Sequence, residues 1–268
     1  MTRLRNRSFF LLLLFGSTLP CLAQRSAILK EETKFRKSYQ RLRLKEFDLV
    51  NDYKNYQELE KASASFARFI AHTPATLNYP FRQLIDSHVC QITTSEDGRF
   101  RIYSWDMLGG GTGRYFNSII QWQGKEMSRP RTKYYYQTRE EDITAPYAQK
   151  VHCVGIGRRT YYLAVTQFIL SNPDRVQCIQ AYSIQNGKLN DSVKLFQTRK
   201  GRLNSICIDY SLFNSKNERK WPFETIRYDR KHQAVLIPLI KESGGLTKGD
   251  LVYKLKDGAF RYSGTRRN

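Results

Sequence analysis

The chain has 268 residues, with 45 Lys and Arg against 24 Asp and Glu, a net charge of +21, and 40% hydrophobic residues. That length buries a full core without staples, as one large or two small domains. A charge this positive in an intracellular protein would point first to nucleic acid, so the compartment decides how it is read.

The N-terminus addresses the compartment. Arg3, Arg5 and Arg7 precede the unbroken apolar run Phe9–Phe15, and a small-residue stretch ends in Cys21-Leu22-Ala23. This three-part pattern predicts a cleavable secretory signal over 1–23, cut before Gln24. The run is too short for a membrane span, which needs about 20 apolar residues. Pro20 stands where a lipoprotein signal carries a small residue, so Cys21 is not expected to be lipidated. Without residues 1–23 the chain has 245 residues, and 42 Lys and Arg against 24 acids leave +18. A periplasmic or extracellular protein meets anionic glycans, wall polymers, lipid headgroups and acidic envelope proteins, and nucleic acid becomes remote. Charge spread evenly would serve solubility alone.

Residues 24–87 read as a helical segment. Phe35, Tyr39 and Leu42 form one stripe, and Phe47, Val50, Tyr53, Tyr56, Leu59, Ala62, Phe66, Phe69 and Ile70 a second, at spacings of three and four. The pattern predicts one long helix, or two breaking near Leu44–Glu46, ended by His72-Thr73-Pro74. The Phe66/Phe69/Ile70 face is expected to pack on the β region.

Residues 88–268 read as antiparallel β. Ten runs rich in Ile, Val, Tyr and Thr predict strands from Val89–Thr94 to Leu251–Leu255. Asp97-Gly98, Asn186-Gly187 and Asp257-Gly258 predict tight hairpin turns. The fold class is mainly β, with the helical segment packed on an antiparallel β domain; sandwich, barrel and propeller-like layouts all stay open. Cys90, Cys153, Cys178 and Cys207 allow three full pairings in an oxidising compartment, and each also suits a buried strand position.

The densest stretch runs from Ser95 to Trp122. In a strand, Arg101, Tyr103 and Trp105 share one face. Aromatic rings stack on sugars, and a guanidinium grips a carboxylate or phosphate through two bonds. Asp106, Gly110, Gly111 and Thr112 come next, and glycines let a backbone approach a ligand. These seven residues form the candidate ligand-binding set. The competing expectation puts the Arg101/Tyr103/Trp105 face in the core. The basic, aromatic segment Lys125–Arg139 is expected to be an exposed hairpin loop, with polymer binding as the alternative.

Catalytic signals are poor. Neither His-Glu-x-x-His nor Gly-x-Ser-x-Gly occurs, and the glycine run lacks the Lys-Ser/Thr of a phosphate loop. His152 and Cys153 are strand neighbours pointing to opposite faces. No catalytic, cofactor or metal residues are assigned.

The run Asp97-Gly98-x-x-Arg101-x-Tyr103-Ser104-Trp105-Asp106, continued by Gly110-Gly111-Thr112, resembles a pattern in a group of uncharacterised exported bacterial proteins. Tyr79-Pro80-Phe81 and Ile237-Pro238-Leu239 are similar too. The resemblance implies a bacterial envelope setting and brings no activity. The expected function is an exported envelope binding or interaction protein for an anionic glycan or wall polymer. The alternative is a secreted hydrolase of such polymers.

Overall fold

The computed structural model describes residues 8–44, 53–109, 112–135, 145, 147–212 and 225–267, with only the backbone over 8–21. Among the described residues strand outweighs helix, so the protein is mainly β, with a helical N-terminal segment followed by antiparallel sheets and no closed barrel.

Helix α1 spans Ser8–Arg43, so the expected cleavage point falls within it. Its buried stripe is Ile28, Glu32, Phe35, Tyr39 and Leu42. Glu32 is the odd member, a carboxylate inside an apolar stripe. It accepts hydrogen bonds from Leu84 N (3.3 Å) and the Tyr79 hydroxyl (3.1 Å), which satisfy the buried charge. Phe47 and Val50 lie outside the described residues. Helix α2, Tyr53–His72, buries Tyr56, Leu59, Ser63, Phe66 and Ile70 at alternating steps of three and four. Phe35 and Phe66 stack at 4.4 Å and join the two helices. Pro74 closes α2 and opens a 3-10 turn over Pro74–Asn78. The short helix α3, Arg82–Asp86, completes the helical part.

Fifteen strands come after it among the described residues, in three sheets. Sheet A has β1 (Gln91–Thr94), β2 (Phe100–Asp106), β3 (Phe116–Trp122) and β4 (Arg131–Tyr135), paired in that order. Sheet B orders β11 (Ser205–Ser211), β7 (Asp174–Gln185), β6 (Arg159–Ile169) and β5 (Tyr147–Ile156), with β8 (Lys188–Asn190) added to β7. Sheet C orders β10 (Gly201–Leu203), β9 (Phe196–Thr198), β15 (Ala259–Arg267), β14 (Leu246–Lys256), β13 (Ala234–Ile240) and β12 (Arg227–Asp229). Every pairing is antiparallel except β15 with β9.

The layers stack nearly in chain order, helices, sheet A, sheet B, sheet C; the exception is β9 and β10 of sheet C, which precede β11 of sheet B. Phe35, Phe66 and Ile70 pack with Tyr103, Trp105 and Ile119 between the helices and sheet A. Phe100, Ile102 and Trp122 meet Val151, Tyr162 and Tyr182 between sheets A and B. Leu163, Val165 and Ile179 meet Val235, Ile237 and Phe260 between sheets B and C. Sheets A and B are thus buried on both faces, and their central strands carry apolar side chains at successive positions.

Asn186-Gly187 and Asp257-Gly258 are two-residue hairpins with positive φ at both positions (50° and 72°, 51° and 74°), the backbone a type I′ turn needs. Asp97-Gly98 differs. Only Gly98 has positive φ there, and the turn is longer, closed by Ser95 N to Phe100 O at 2.8 Å. The Asp97 side chain accepts from Ser95 Oγ and Arg99 N, which stabilises the wider loop. The expected loop over Lys125–Arg139 also needs correction. Arg131–Tyr135 is an edge strand of sheet A, and residues 136–139 lie outside the described residues.

Cys178 and Cys207 face each other directly in the β7–β11 register and form a disulfide, with Cα atoms 4.0 Å apart. Cys90 and Cys153 are free thiols. No helix among the described residues is long and apolar enough to cross a membrane.

Candidate functional site

Strand β2 divides the residues expected to bind a ligand. Arg101, Tyr103 and Trp105 point toward the helices and are 7%, 0% and 1% exposed. Arg101 Nη1 donates to the carbonyls of Thr76 (2.8 Å) and Tyr79 (2.6 Å), and Nε donates to Thr94 Oγ1 (2.7 Å). The Tyr103 hydroxyl stands 2.9 Å from Thr76 O and 2.7 Å from Gln121 Oε1. Burial, the largest cause, pushes its pKa far above the ordinary phenol value. Trp105 Nε1 donates to Ser63 Oγ at 2.9 Å, its ring edge-on to Phe35 and Phe66 and stacked on Tyr134.

The exposed stacking face expected of these three residues is therefore corrected to a buried one. The two helices must cover the apolar stripes of Phe35 and Phe66, and this face of sheet A covers them. Each polar tip finds its partner on the helical side, so the burial leaves none of them stranded. Replacing Arg101 with Met is expected to cost about 2–3 kcal/mol, because Thr94 Oγ1 and the Tyr79 carbonyl lose a charged donor while still enclosed. Urea unfolding measures this; an unchanged midpoint would show that the guanidinium does not brace the 3-10 turn.

Asp106 and Thr112 lie elsewhere. They line a cleft of about 600 Å³ at the end of β2, between the C-terminal end of α1, the start of β3 and the β6–β7 turn. Gly110 and Gly111 lie outside the described residues. The loop before them is tied down by Met107 N to Tyr115 O (2.7 Å) and Leu108 N to Asp106 Oδ1 (2.8 Å). Beyond it, Arg114 N bonds Ile169 O at 2.9 Å, joining sheet A to sheet B beside the cleft.

Sequence reasoning missed the basic side chains of this cleft: Arg43, His88, Arg114 and Arg175. They come from α1, the α3–β1 turn, the β2–β3 loop and β7, so no local motif joins them. Arg114 alone carried a signal, standing just after the glycine run. Arg114 Nη1 lies 3.4 Å from Asp106 Oδ2, and its side chain stays 35% exposed. Arg175 is nearly buried, held through Nη1 by the carbonyls of Ser171 and Asp174. Burial lowers the Arg175 pKa most; Tyr210 and Asp174 oppose that, and the charge of Arg114 lowers it again. Both guanidinium groups thus line one cavity, Arg114 beside Asp106 and Arg175 held by carbonyls.

The wall between the cations is aromatic. Tyr147 is the half-buried ring on it, in contact with Phe116 at 4.7 Å; Tyr39, Trp105 and Phe116 reach it only by their edges, at 3%, 1% and 3% exposure. Burial pushes the Tyr147 hydroxyl up to about 12, with lesser contributions from Cys90 and Asp106, so it keeps its proton to donate at neutral pH. His88 and Leu108, both on the cleft, hold left-handed backbone (φ 53° and 57°). A leucine there costs about 1 kcal/mol, and backbone strain of this kind clusters at ligand sites.

Other reactive groups are poorly set for chemistry. Burial first, then Asp97 and Glu96, push the Cys153 thiol up to about 11, and burial raises Cys90 further. Both stay protonated at neutral pH, the opposite of an activated nucleophile. Among the described residues no three His, Cys, Asp or Glu side chains are grouped as metal ligands. No family model, curated protein or solved structure matches this chain.

Proposed function

We propose that this chain is an exported cell-envelope protein that binds an anionic ligand, an acidic glycan or wall-polymer fragment, in the Arg114 cleft. The observation that carries the reading is the convergence of three arginines and a histidine on an aromatic-walled cavity of about 600 Å³. That volume suits a small ligand or a few sugar units. Tyr147 offers a part-exposed ring and hydroxyl, and guanidinium groups offer paired hydrogen bonds to carboxylate or phosphate. Export is supported by the three-part N-terminus, by the disulfide and by the resemblance to exported bacterial proteins.

The hydrolase reading has less support. Glycoside hydrolysis uses two carboxylates facing the scissile bond. Asp106 is the one carboxylate among the described residues of the cleft, and it is engaged by Leu108 N and Arg114.

Charge reversal at Arg114 tests the proposal. Titration calorimetry with muropeptides and with short oligogalacturonate should show micromolar or weaker binding that falls with salt. Arg114→Glu should lower the affinity at least tenfold, and Arg114→Gln, which removes the charge without setting a second carboxylate beside Asp106, should lower it with the melting temperature nearly unchanged because the side chain is part-exposed. Equal affinity in the variant would remove the cleft from consideration.

A further inference from the structure

Strands β2, β3, β6 and β7 all extend away from the Arg114 cleft, and their far ends meet in a second concave surface. Four connections converge there: Asp97–Arg99, Gln123–Met127, Gly157–Arg158 and Asn186–Gly187. Between them lie two hollows of about 370 and 270 Å³. The hollows share Asp97, Arg99, Gln123, Gly124 and Lys125, so they form one continuous groove across the tips of sheets A and B. We infer that this groove is a second anion site, and that it takes an acidic polysaccharide chain.

The charge balance favours an anion. Arg99, Lys125, Arg158 and Arg159 face the groove against Asp97 and Glu126. Asp97 is already engaged: Oδ1 accepts from Ser95 Oγ (2.6 Å) and Arg99 N (3.1 Å), and Oδ2 from the Tyr162 hydroxyl (2.9 Å). Among the described residues, none of the four cations has an acidic partner within 4.0 Å. They are free to pair with a ligand.

The walls are braced before anything binds. Trp122 Nε1 donates to Gly187 O at 3.2 Å, which fixes the β7–β8 turn to the end of β3. Gln123 Nε2 donates to Met127 O at 2.9 Å and holds the β3–β4 connection in shape. Rigid walls spare a ligand the entropy of ordering them.

The neutral lining selects the class of anion. Asn78 and Asn186 bring side-chain amides to the lining, and Gln123 and Gln185, whose Nε2 groups donate to Met127 O and Ser183 Oγ, bring amide oxygens; such groups exchange hydrogen bonds with sugar hydroxyls. Strand ends rather than strand edges form the walls, so an extended acidic peptide finds no ladder to join. A polysaccharide bearing carboxylate or sulfate groups meets amides and guanidinium groups together.

The site stands apart from the Arg114 cleft. Strand β2 has seven residues, so the two lie about 23 Å apart along it. That separation makes their failures distinguishable. Short oligogalacturonate, titrated into the full chain by calorimetry, should occupy two sites. Arg158→Glu/Arg159→Glu should remove or weaken one of them at least tenfold and leave the other. Arg114→Glu should do the reverse. Both arginines of the double variant are exposed, so its melting temperature should match the parent. Dextran sulfate in parallel separates the two anions, the tighter one naming the group preferred. Unchanged binding in the double variant would overturn the groove while leaving the cleft standing. Binding of polyglutamate as tight as that of the sugars, and equally sensitive to the reversal, would overturn the saccharide class. No binding of either saccharide by the parent chain would overturn the inference outright.

Discussion

Trp105→Ala is expected to lower the unfolding free energy by about 3–5 kcal/mol, the range for deleting a large enclosed aromatic side chain. The ring sits where three elements meet. Phe35 of α1 and Phe66 of α2 touch it edge-on at 5.6 and 5.9 Å, and Tyr134 of β4 stacks on it at 6.2 Å. Truncation opens a cavity between the helices and sheet A and takes the indole donor from Ser63 Oγ. Neither helix can close the gap alone, because Phe35 and Phe66 are stacked on each other. Trp105→Phe keeps most of the volume and loses the hydrogen bond, so it should cost less, about 1–3 kcal/mol. Urea unfolding followed by tyrosine fluorescence and far-ultraviolet circular dichroism gives both values. A Trp105→Ala chain that unfolds at the parent's midpoint would mean the ring is not part of the core.

Removing the Cys178–Cys207 bond should have the next largest effect. The bond closes a loop with a sequence separation of 29, and on the chain-entropy account such a loop contributes about 3–4 kcal/mol by restricting the unfolded chain. The β7–β11 ladder has seven register pairs around the bond, so the native arrangement should survive Cys178→Ala/Cys207→Ala. The loss then appears as a lower denaturation midpoint with little change in the native spectrum. Reductant should bring the parent to the same midpoint and leave the double variant unmoved. Thiol counting on the unfolded, unreduced chain without residues 1–23 should find two thiols, Cys90 and Cys153. Four would show that the bond does not form.

The periodic parts of the fold were legible from residue order. The steps of three and four through Leu59, Phe66 and Ile70 marked the buried face of α2, and Asn186-Gly187 and Asp257-Gly258 marked their hairpins. The β4 strand was not legible, because its exposed Lys and Arg and the nearby Pro130 read as a loop. What shapes it is pairing with β3 and the 2.8 Å bond from Lys133 to Asp191, a residue 58 positions away.

The candidate site was half legible, for the same reason. An Arg-Tyr-Trp face on a strand has the same local pattern whether it meets a sugar or a helix. The choice rests on Ser63, Thr76 and Tyr79, which lie 42, 25 and 22 positions before their partners on the strand. Asp106 and Thr112 belong to a cleft, but its three arginines and one histidine arrive from four separate elements. Only the three-dimensional packing brings Arg43, His88 and Arg175 beside Arg114.

The stacking of layers nearly in chain order has a consequence for how the polypeptide reaches its final form. The N-terminus leads in synthesis and in export alike, so sheet A can form on the helices, and β5–β8 on sheet A, before the rest of the chain arrives. Sheet B then waits with Leu163, Val165 and Ile179 uncovered until the last third of the chain supplies Val235, Ile237 and Phe260. The final locks also come late. Glu96 bonds Arg230, 134 positions downstream, and β9 pairs with β15 only once Phe260 has appeared. A chain that ends before residue 234 therefore lacks the strands that cover this face, and the apolar surface left open should make it prone to aggregate.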